Sequence, residues 1–369
     1  MAHRLPKASK RLVVRKARPD SLAAKKGYPN DAVLETEPVT VPKQGQVIVK
    51  INAVSFNHRD LWILKAMYPG IVLGSTFGAD GAGVVVASPD NNDPLLNRRV
   101  FLVPMRGWES HPEAPDSRFT ILGGGGDCAP LGTFAQYVAV ERDQIIPSPP
   151  HLDDVQVSAL PVAGVTAWRA VIVNARVKKG DNVLITGIGG GVALVAFQIC
   201  LALGANVYVS SGSDEKIRRA IELGAKGGVN YKAKDWPSQL ESLLKRHNPK
   251  NSLLSSVIDS GGGDIMSSLF KVLAGGARVV VYGMTANPKV TFTMRQVLKN
   301  QQLLGSTMGS HKDLVDFASF VAEHKIVPII SHVLDGLEAH EEGFELIARG
   351  DHFGKVVVRV KHEPPSAKL

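Results

Sequence analysis

The chain has 369 residues, 44% of them hydrophobic and 21% charged, which fits two or three domains of roughly 100–200 residues and excludes disordered, collagen-like and miniature folds. Cys128 and Cys200 are too few for a disulfide framework and neither sits in a CxxC pair, so a reducing compartment is expected. The net charge of +9 admits a nucleic acid, but outside Arg4–Arg18 the basic residues are scattered without a nucleic-acid motif, so the expected partner is an anionic small molecule such as a phosphorylated cofactor and no nucleic acid.

At the N-terminus Arg11-Leu-Val-Val-Arg15 alternates like a strand rather than a transit helix, so this basic segment is read as mature structure. Short alternating or β-branched runs follow up to about Pro150: Gln46–Ile51, Gly83–Ala87, Arg99–Val103 and Phe134–Ala139. Gly, Pro and Asn clusters separate them, the pattern of a mostly antiparallel β domain. After Pro147-Ser-Pro-Pro150 the rhythm changes. Strand-like runs at Asn182–Thr186, Asn206–Ser210, Ser256–Asp259 and Arg278–Tyr282 alternate with helical ones at Val192–Leu203, Asp214–Leu223, Trp236–Arg246 and Ile265–Leu273. Such alternation predicts a parallel sheet covered by helices. Beyond Gly309 come helices over Lys312–His324 and Leu337–Arg349, then a strand, Lys355–Arg359, that has the pattern of returning to the first domain. The longest apolar stretch, Val183–Leu203, is broken by glycines at 187 and 189–191; no run reaches the roughly 18 residues of a membrane span, so a soluble protein without a membrane partner is expected.

Asn182-Val-Leu-Ile-Thr-Gly-Ile-Gly-Gly-Gly-Val-Ala193 is a buried strand running into a glycine cluster that opens a helix. Gly187, Gly189, Gly190, Gly191 and Val192 thus form the turn through which backbone N–H groups approach a pyrophosphate without Cβ obstruction. About twenty residues further on, an NAD site needs a carboxylate for the ribose 2′-hydroxyl. Here the segment is Ser210-Ser-Gly-Ser-Asp-Glu-Lys216, with small hydroxyl residues at the strand end and Lys216 behind. That composition favours a 2′-phosphate and NADP(H). Asp214, Glu215 and Lys216 also read as a capped, solvated first helical turn, and either acid is within reach of a ribose.

The order of an N-terminal β domain, Val162-Ala-Gly-Val-Thr-Ala-Trp168, the glycine turn, Ser-Gly-Ser-Asp-Glu-Lys and Gly224-Ala-Lys-Gly-Gly-Val-Asn-Tyr231 resembles the medium-chain dehydrogenase/reductase superfamily over about residues 11–360. Within it the chain is similar to the zinc-free quinone oxidoreductase and enoyl reductase branch, and to fungal zinc-type alcohol dehydrogenase-like members. The resemblance implies an α/β fold: a Rossmann doubly wound parallel sheet over 153–309, plus a mostly antiparallel GroES-like catalytic domain over 1–152 and 310–369, with the active cleft between them. Zinc dehydrogenases of the superfamily carry Cys-His-Thr-Asp and Gly-His-Glu motifs and a further Cys. The matching segments here are Asn57-His-Arg-Asp60, Gly78-Ala-Asp80 and about Val162. Asp80 alone cannot hold a catalytic zinc that wants three or four N, S and O ligands. Arg59 stands at the hydroxyl-relay position, and the loop Met105–Leu131, the place of a structural zinc in relatives, holds only Cys128. His58 and His111 are read as solvated or core-edge histidines, so no metal is expected.

The resemblance further places Asn57 and Asp60 beside the nicotinamide ribose and Thr166 at the carboxamide. Ser211, Lys216 and Tyr231 match residues that hold the 2′-phosphate, and Gly283, Gly305 and Ser306 match segments lining the nicotinamide. Trp62 takes the place of an active-site Tyr of many quinone reductases; it reads equally as core filling. Tyr68 is a nearby alternative donor, or a turn residue before Pro69-Gly70. The expected function is NADPH-dependent, zinc-independent hydride transfer to a quinone or an α,β-unsaturated carbonyl. An alcohol or aldehyde oxidoreductase and a catalytically idle NADPH-binding protein stay open. A homodimer is implied, pairing through an edge strand near Val290–Met294. Finally, Ala367-Lys368-Leu369 conforms to a small-basic-Leu peroxisomal address read by an import receptor, the alternative being an unread tail in the cytoplasm.

Overall fold

A computed structural model describes residues 5–362, so the address at Ala367, Lys368 and Leu369 lies outside the described residues. The chain forms two compact units, one of residues 1–162 with 310–369, the other of residues 163–309.

In the first unit β1 (Ala8–Lys16) and β2 (Asn30–Pro38) pair antiparallel, with Leu12 opposite Leu34. There follow β3 (Gln46–Ser55), β4 (Asp80–Ala87), β5 (Arg99–Leu102), the two-residue strands β6 (Met105–Arg106) and β7 (Thr120–Ile121), β8 (Tyr137–Glu141) and β9 (Ile145–Pro147). The second unit contributes β10 (Asn182–Ile185), β11 (Asn206–Ser211), β12 (Gly227–Asn230), β13 (Leu254–Asp259), β14 (Leu273–Val281) and β15 (Gln302–Gly305). The chain then returns to the first unit with β16 (Ile330–Asp335) and β17 (Lys355–Arg359).

Seven of the first unit's strands form one sheet in the order β16-β17-β3-β4-β5-β9, with β8 on β3. β17 runs antiparallel to β3, with Val358 opposite Val54, so the last strand of the chain lies beside the segment that ends at Ser55. An aromatic cluster fills the space below: Phe56 meets Phe134 and Phe344 edge-to-face at 4.8 and 5.0 Å. The packing fixes the backbone just ahead of Asn57, the residue preceding the helix His58–Leu64.

The second unit is a six-stranded sheet, every adjacent pair parallel, in the order β12-β11-β10-β13-β14-β15. Numbered within the unit this is 3-2-1-4-5-6, the doubly wound order whose switch point lies between β10 and β13 and puts a crevice beyond their carboxyl ends. Leu184, Tyr208, Val257 and Val279 lie in one buried cluster with Leu240 and Leu244 of the helix Trp236–His247. No helix among the described residues is long and apolar enough to cross a membrane.

Three sequence readings shift. The first unit runs ten residues past 152, because Asp154 accepts hydrogen bonds from Asn52 Nδ2 at 2.7 Å and Arg99 Nε at 2.8 Å, which ties the helix Asp154–Ser158 to β3 and β5. The helix expected over Ile265–Leu273 stops at Ser268, since Leu273 already pairs with Leu254 as the first residue of β14. The edge strand expected near Val290–Met294 is not a strand. Pro288 brings no N–H, Thr293 caps the helix Met294–Val297 through Arg295 N, and the edge of the sheet is β15.

Candidate functional site

In the second unit the turn after β10 has the backbone a dinucleotide site requires. Gly187 and Gly189 adopt φ +64° and +118°, conformations that residues with a Cβ rarely hold. Gly190 then precedes the helix Gly191–Ala202, so three successive glycines leave its first N–H groups uncovered. A Cβ on Gly189 would come within 2.8 Å of Lys216 Cδ, which places the lysine stem over the turn. β13 ends at Asp259, whose carboxylate takes the Thr186 hydroxyl at 2.6 Å and Gly262 N at 2.7 Å. Both sides of the switch point are thereby fixed to one another.

The end of β11 gathers the residues proposed for a phosphate. Ser211 is buried and its Oγ accepts from Ser213 N at 3.2 Å. Ser213 in turn caps the helix Asp214–Glu222, accepting from Lys216 N. Around Gly212, a Cβ would meet Tyr231 Oη at 2.7 Å and Lys232 Cε at 2.8 Å. Ser211 and Tyr231 thus border one stretch of backbone, while the Lys216 stem lies over the glycine turn at Gly189. Lys232 joins the first two, a residue that sequence does not point to because it lies in a loop beyond the motif. The two acids within reach of a ribose by sequence are engaged elsewhere: Asn230 Nδ2 donates to Asp214 at 2.8 Å, and Arg218 holds Glu215 at 2.7 Å.

At the opposite end of the crevice, a Cβ on Gly283 would stand 2.7 Å from Ser260 O, so only glycine permits this approach of the β13 and β14 loops. Gly305 ends β15 with open space where a Cβ would be. Next to it Ser306 Oγ is buried without a hydrogen-bond partner, an atom that a bound molecule would satisfy. Thr166 is buried on the helix Pro161–Trp168 with its hydroxyl 3.7 Å from Met308 Sδ. That helix continues into a π-helical segment, Arg169–Asn174, a rare conformation frequent at functional sites.

The first unit holds a different arrangement, a knot of buried polar side chains under β17. Lys355 Nζ donates to Phe56 O at 2.8 Å, Asn57 Oδ1 at 2.7 Å and Asp80 Oδ2 at 2.9 Å. Asn57 Nδ2 donates to Asp80 Oδ2 at 2.8 Å, and Asp80 Oδ1 accepts from Val162 N at 2.8 Å. Lys355 and Asp80 side chains are 6% and 0% exposed, so this is an ion pair taken out of water and completed by hydrogen bonds. Asp60 accepts from Asn57 N at 2.8 Å through Oδ2. Its Oδ1 has no hydrogen-bond partner, with Arg59 Nη1 3.7 Å away, and burial pushes its carboxyl up to about 6. In the sequence Lys355 is only the first residue of a strand.

Of the remaining candidates, Arg59 and Trp62 lie on the helix His58–Leu64. Arg59, at the relay position, is buried and donates to Leu122 O at 2.8 Å, with its guanidinium 4.6 Å from the Tyr68 ring centroid. It clamps a loop and supports Tyr68. Trp62 is half-buried rather than core, its ring edge-on to His58 at 5.8 Å. His111 Nδ1 accepts from Glu113 N and Ala114 N, which organises its own loop. Cys128 is buried against Thr120, and burial pushes its thiol up.

Residues 43–150 match the family model described as alcohol dehydrogenase GroES-like domain, and residues 191–323 the one described as zinc-binding dehydrogenase. A zinc-type alcohol dehydrogenase-like protein, YogA, of Leptosphaeria maculans is 38% identical over 345 residues, 90% of this chain and 95% of its own. One from Schizosaccharomyces pombe is 30% identical, over 89% and 95% of the two chains. The crystal structure of an NAD-dependent alcohol dehydrogenase superposes with a TM-score of 0.79 at 31% identity, covering 95% of this chain and 100% of that one. With the two sheets and these likenesses together, the chain belongs to the medium-chain dehydrogenase/reductase superfamily of oxidoreductases.

Proposed function

We propose that the protein is an NADPH-dependent oxidoreductase that works without zinc and transfers hydride to a quinone or an α,β-unsaturated carbonyl. The observation that carries this reading is the Lys355 ammonium. At the positions matched to zinc ligands, Asn57 and Val162 supply no thiolate or imidazole, and Asp80 Oδ2 already binds a buried cation at 2.9 Å. A zinc ion wants several such ligands at about 2.0–2.3 Å and would sit against that ammonium. The donor set does not fit the metal. An acceptor reduced here must be electrophilic by itself or activated by hydrogen bonds.

A dinucleotide fits the second unit on separate grounds: the positive-φ turn, the Cβ-free approach at Gly189 and the unpartnered Ser306 Oγ. When bound, NADPH supplies the hydride. Lys216 and Lys232 meet a 2′-phosphate with charge, Ser211 and Tyr231 with hydroxyls, while Asp214 and Glu215 are turned to other partners. The rival reading, an NADH-linked alcohol oxidoreductase, is favoured by the name of the solved relative at 31% identity. Oxidation of NADPH and of NADH with a panel of quinones, enones, aldehydes and ketones, and reduction of NAD+ and NADP+ with alcohols, beside a binding titration, separates the three possibilities. Turnover of an enone or quinone with NADPH supports the proposal, NADH-linked alcohol turnover supports the rival, and tight binding without turnover identifies an idle protein. One zinc per purified chain by metal analysis would overturn the metal-free reading.

We further infer self-association through the second unit. β15 is an open edge, and Met294 and Leu298 beside it are 64% and 80% exposed. A monomeric mass in solution scattering at micromolar concentration would refute it.

A further inference from the structure

Lys355 has three donors and no acceptor, and all three are used, on Phe56 O, Asn57 Oδ1 and Asp80 Oδ2. This decides the orientation of Asn57, a side chain whose oxygen and nitrogen are otherwise interchangeable in shape. Turned the other way, the amide would set its NH2 against an ammonium and its oxygen against a carboxylate. Neither neighbour can yield: Asp80 is held by Val162 N at its other oxygen, and its main-chain oxygen accepts the Thr133 hydroxyl at 2.8 Å. Asn57 is half-buried while Lys355 and Asp80 are buried, so Asn57 is the residue of the three that keeps accessible surface.

With one bond made at each end, the amide keeps one N–H and one lone pair. The lone pair sits on an oxygen already bound to a fixed positive charge and is a weak acceptor. The N–H belongs to an amide polarised by that same charge and is a strengthened donor. We propose that Lys355 is the positioning residue that makes Asn57 a hydrogen-bond donor toward the acceptor's carbonyl oxygen, an assignment that rests on the enone and quinone reading above. As hydride from NADPH adds at the β-carbon, the C=C pair shifts to the Cα–C bond and the carbonyl pair to oxygen. Asn57 N–H stabilises that developing enolate without giving up its proton, and the α-carbon takes a proton from water. NADPH is oxidised to NADP+ and the enone reduced to the saturated ketone.

Three variants test this on the whole chain, with turnover, NADPH dissociation constant and melting temperature measured for each. Asn57→Asp keeps an acceptor for Lys355 and loses the donor, so kcat is expected to fall about 100-fold, the scale of a lost oxyanion donor, with NADPH affinity within twofold. Lys355→Arg is still donor-only and is expected to retain the larger share of turnover. Lys355→Gln lets the amide turn and is expected to lose on the order of tenfold more. A merely structural lysine would reverse that order, because Arg is the bulkier substitute, and this reversal would overturn the proposal, as would unimpaired Asn57→Asp or an equal loss of NADPH binding. The amide can also be read without turnover. In a 15N spectrum assigned by its loss in Asn57→Asp, the Asn57 NH2 pair should be widely split and slow to exchange, and should collapse in Lys355→Gln. An unchanged pair in Lys355→Gln overturns the positioning role. Should the wild type turn over no enone or quinone while this signature holds, the functional reading and the enolate step fail, and the positioning role of Lys355 stands.

Discussion

The glycine turn after β10 and the polar knot under β17 are both built to handle charge, by opposite means. The turn uses backbone: Gly187 to Gly191 lie within five residues and contribute N–H groups and empty space. The knot uses side chains brought from 298 and 275 residues apart, Lys355 to Asn57 and to Asp80. A backbone site fails when a Cβ is added, whatever its charge, and a side-chain site fails when charge or donor polarity changes, whatever its volume. This difference orders the expected effects of substitution.

The largest effect is expected from Gly189→Val. At φ +118° a β-branched residue is strained by roughly 1–3 kcal/mol, and its Cβ displaces Lys216, now 2.8 Å from that position. NADH affinity should fall about 100-fold, and NADPH affinity further still because it also loses the displaced Lys216. A titration showing loss for only one cofactor would place the damage at the phosphate end and not in the turn.

In the knot the matching probe is Asp60→Asn, where shape is kept and charge removed. Burial raises the Asp60 carboxyl to about 6, against 3.8 for the ordinary group, so the folded chain binds its proton more tightly than the unfolded one. That contribution to stability is fully present below pH 4 and is lost as pH rises through 6, by up to about 3 kcal/mol. The amide oxygen of the substituted side chain would still accept from Asn57 N. Denaturant titrations at pH 4 and pH 7.5 should therefore show the wild type losing ground to the variant at the higher pH, and an equal difference at both would sink the argument.

What is legible in the sequence follows the same division. The alternation of strands and helices, the turn and the nearness of Ser211 to Tyr231 can be read because each piece is defined by neighbours or by one fixed interval in a doubly wound sheet. The knot cannot, because nothing local distinguishes Lys355 from any charged residue opening a strand. Only the pairing of β17 with β3, Val358 opposite Val54, puts it beside Asn57. Arg59 escapes a sequence reading for a related reason: its burial depends on accepting carbonyls at Leu122 and Gly123, more than sixty residues away. The run at 288–294 reads as strand because its alternation is genuine, while the capping of the next helix by Thr293 decides its shape.

Within the backbone site, the side chains at its phosphate end should behave like the knot and respond to charge. Lys216→Ala is expected to weaken NADPH about tenfold, the loss of one charge-assisted contact, and to leave NADH within twofold. Equal losses for both cofactors would remove Lys216 from the 2′-phosphate.

The smallest effect is expected from Lys232→Ala, which tests how far the phosphate end extends beyond the residues that sequence alone points to. Lys232 has its Cε 2.8 Å from where a Cβ of Gly212 would be, beside Tyr231 Oη at 2.7 Å, so both side chains border the same backbone. Tyr231 is 51% exposed, which leaves this edge in contact with water. A lysine there acts through a solvent-screened charge, worth roughly 0.2–1 kcal/mol, or about 1.4- to fivefold in NADPH affinity. Screening also gives the effect a signature. The deficit of Lys232→Ala relative to wild type should shrink as salt rises from 0.05 to about 0.5 M, where the Debye length falls below roughly 5 Å, and the deficit of Lys216→Ala, whose stem lies over the glycine turn, should shrink less. Isothermal titration at the two salt concentrations measures both. A Lys232→Ala deficit that ignores salt would mean that the residue shapes the Tyr231 loop and does not face the phosphate.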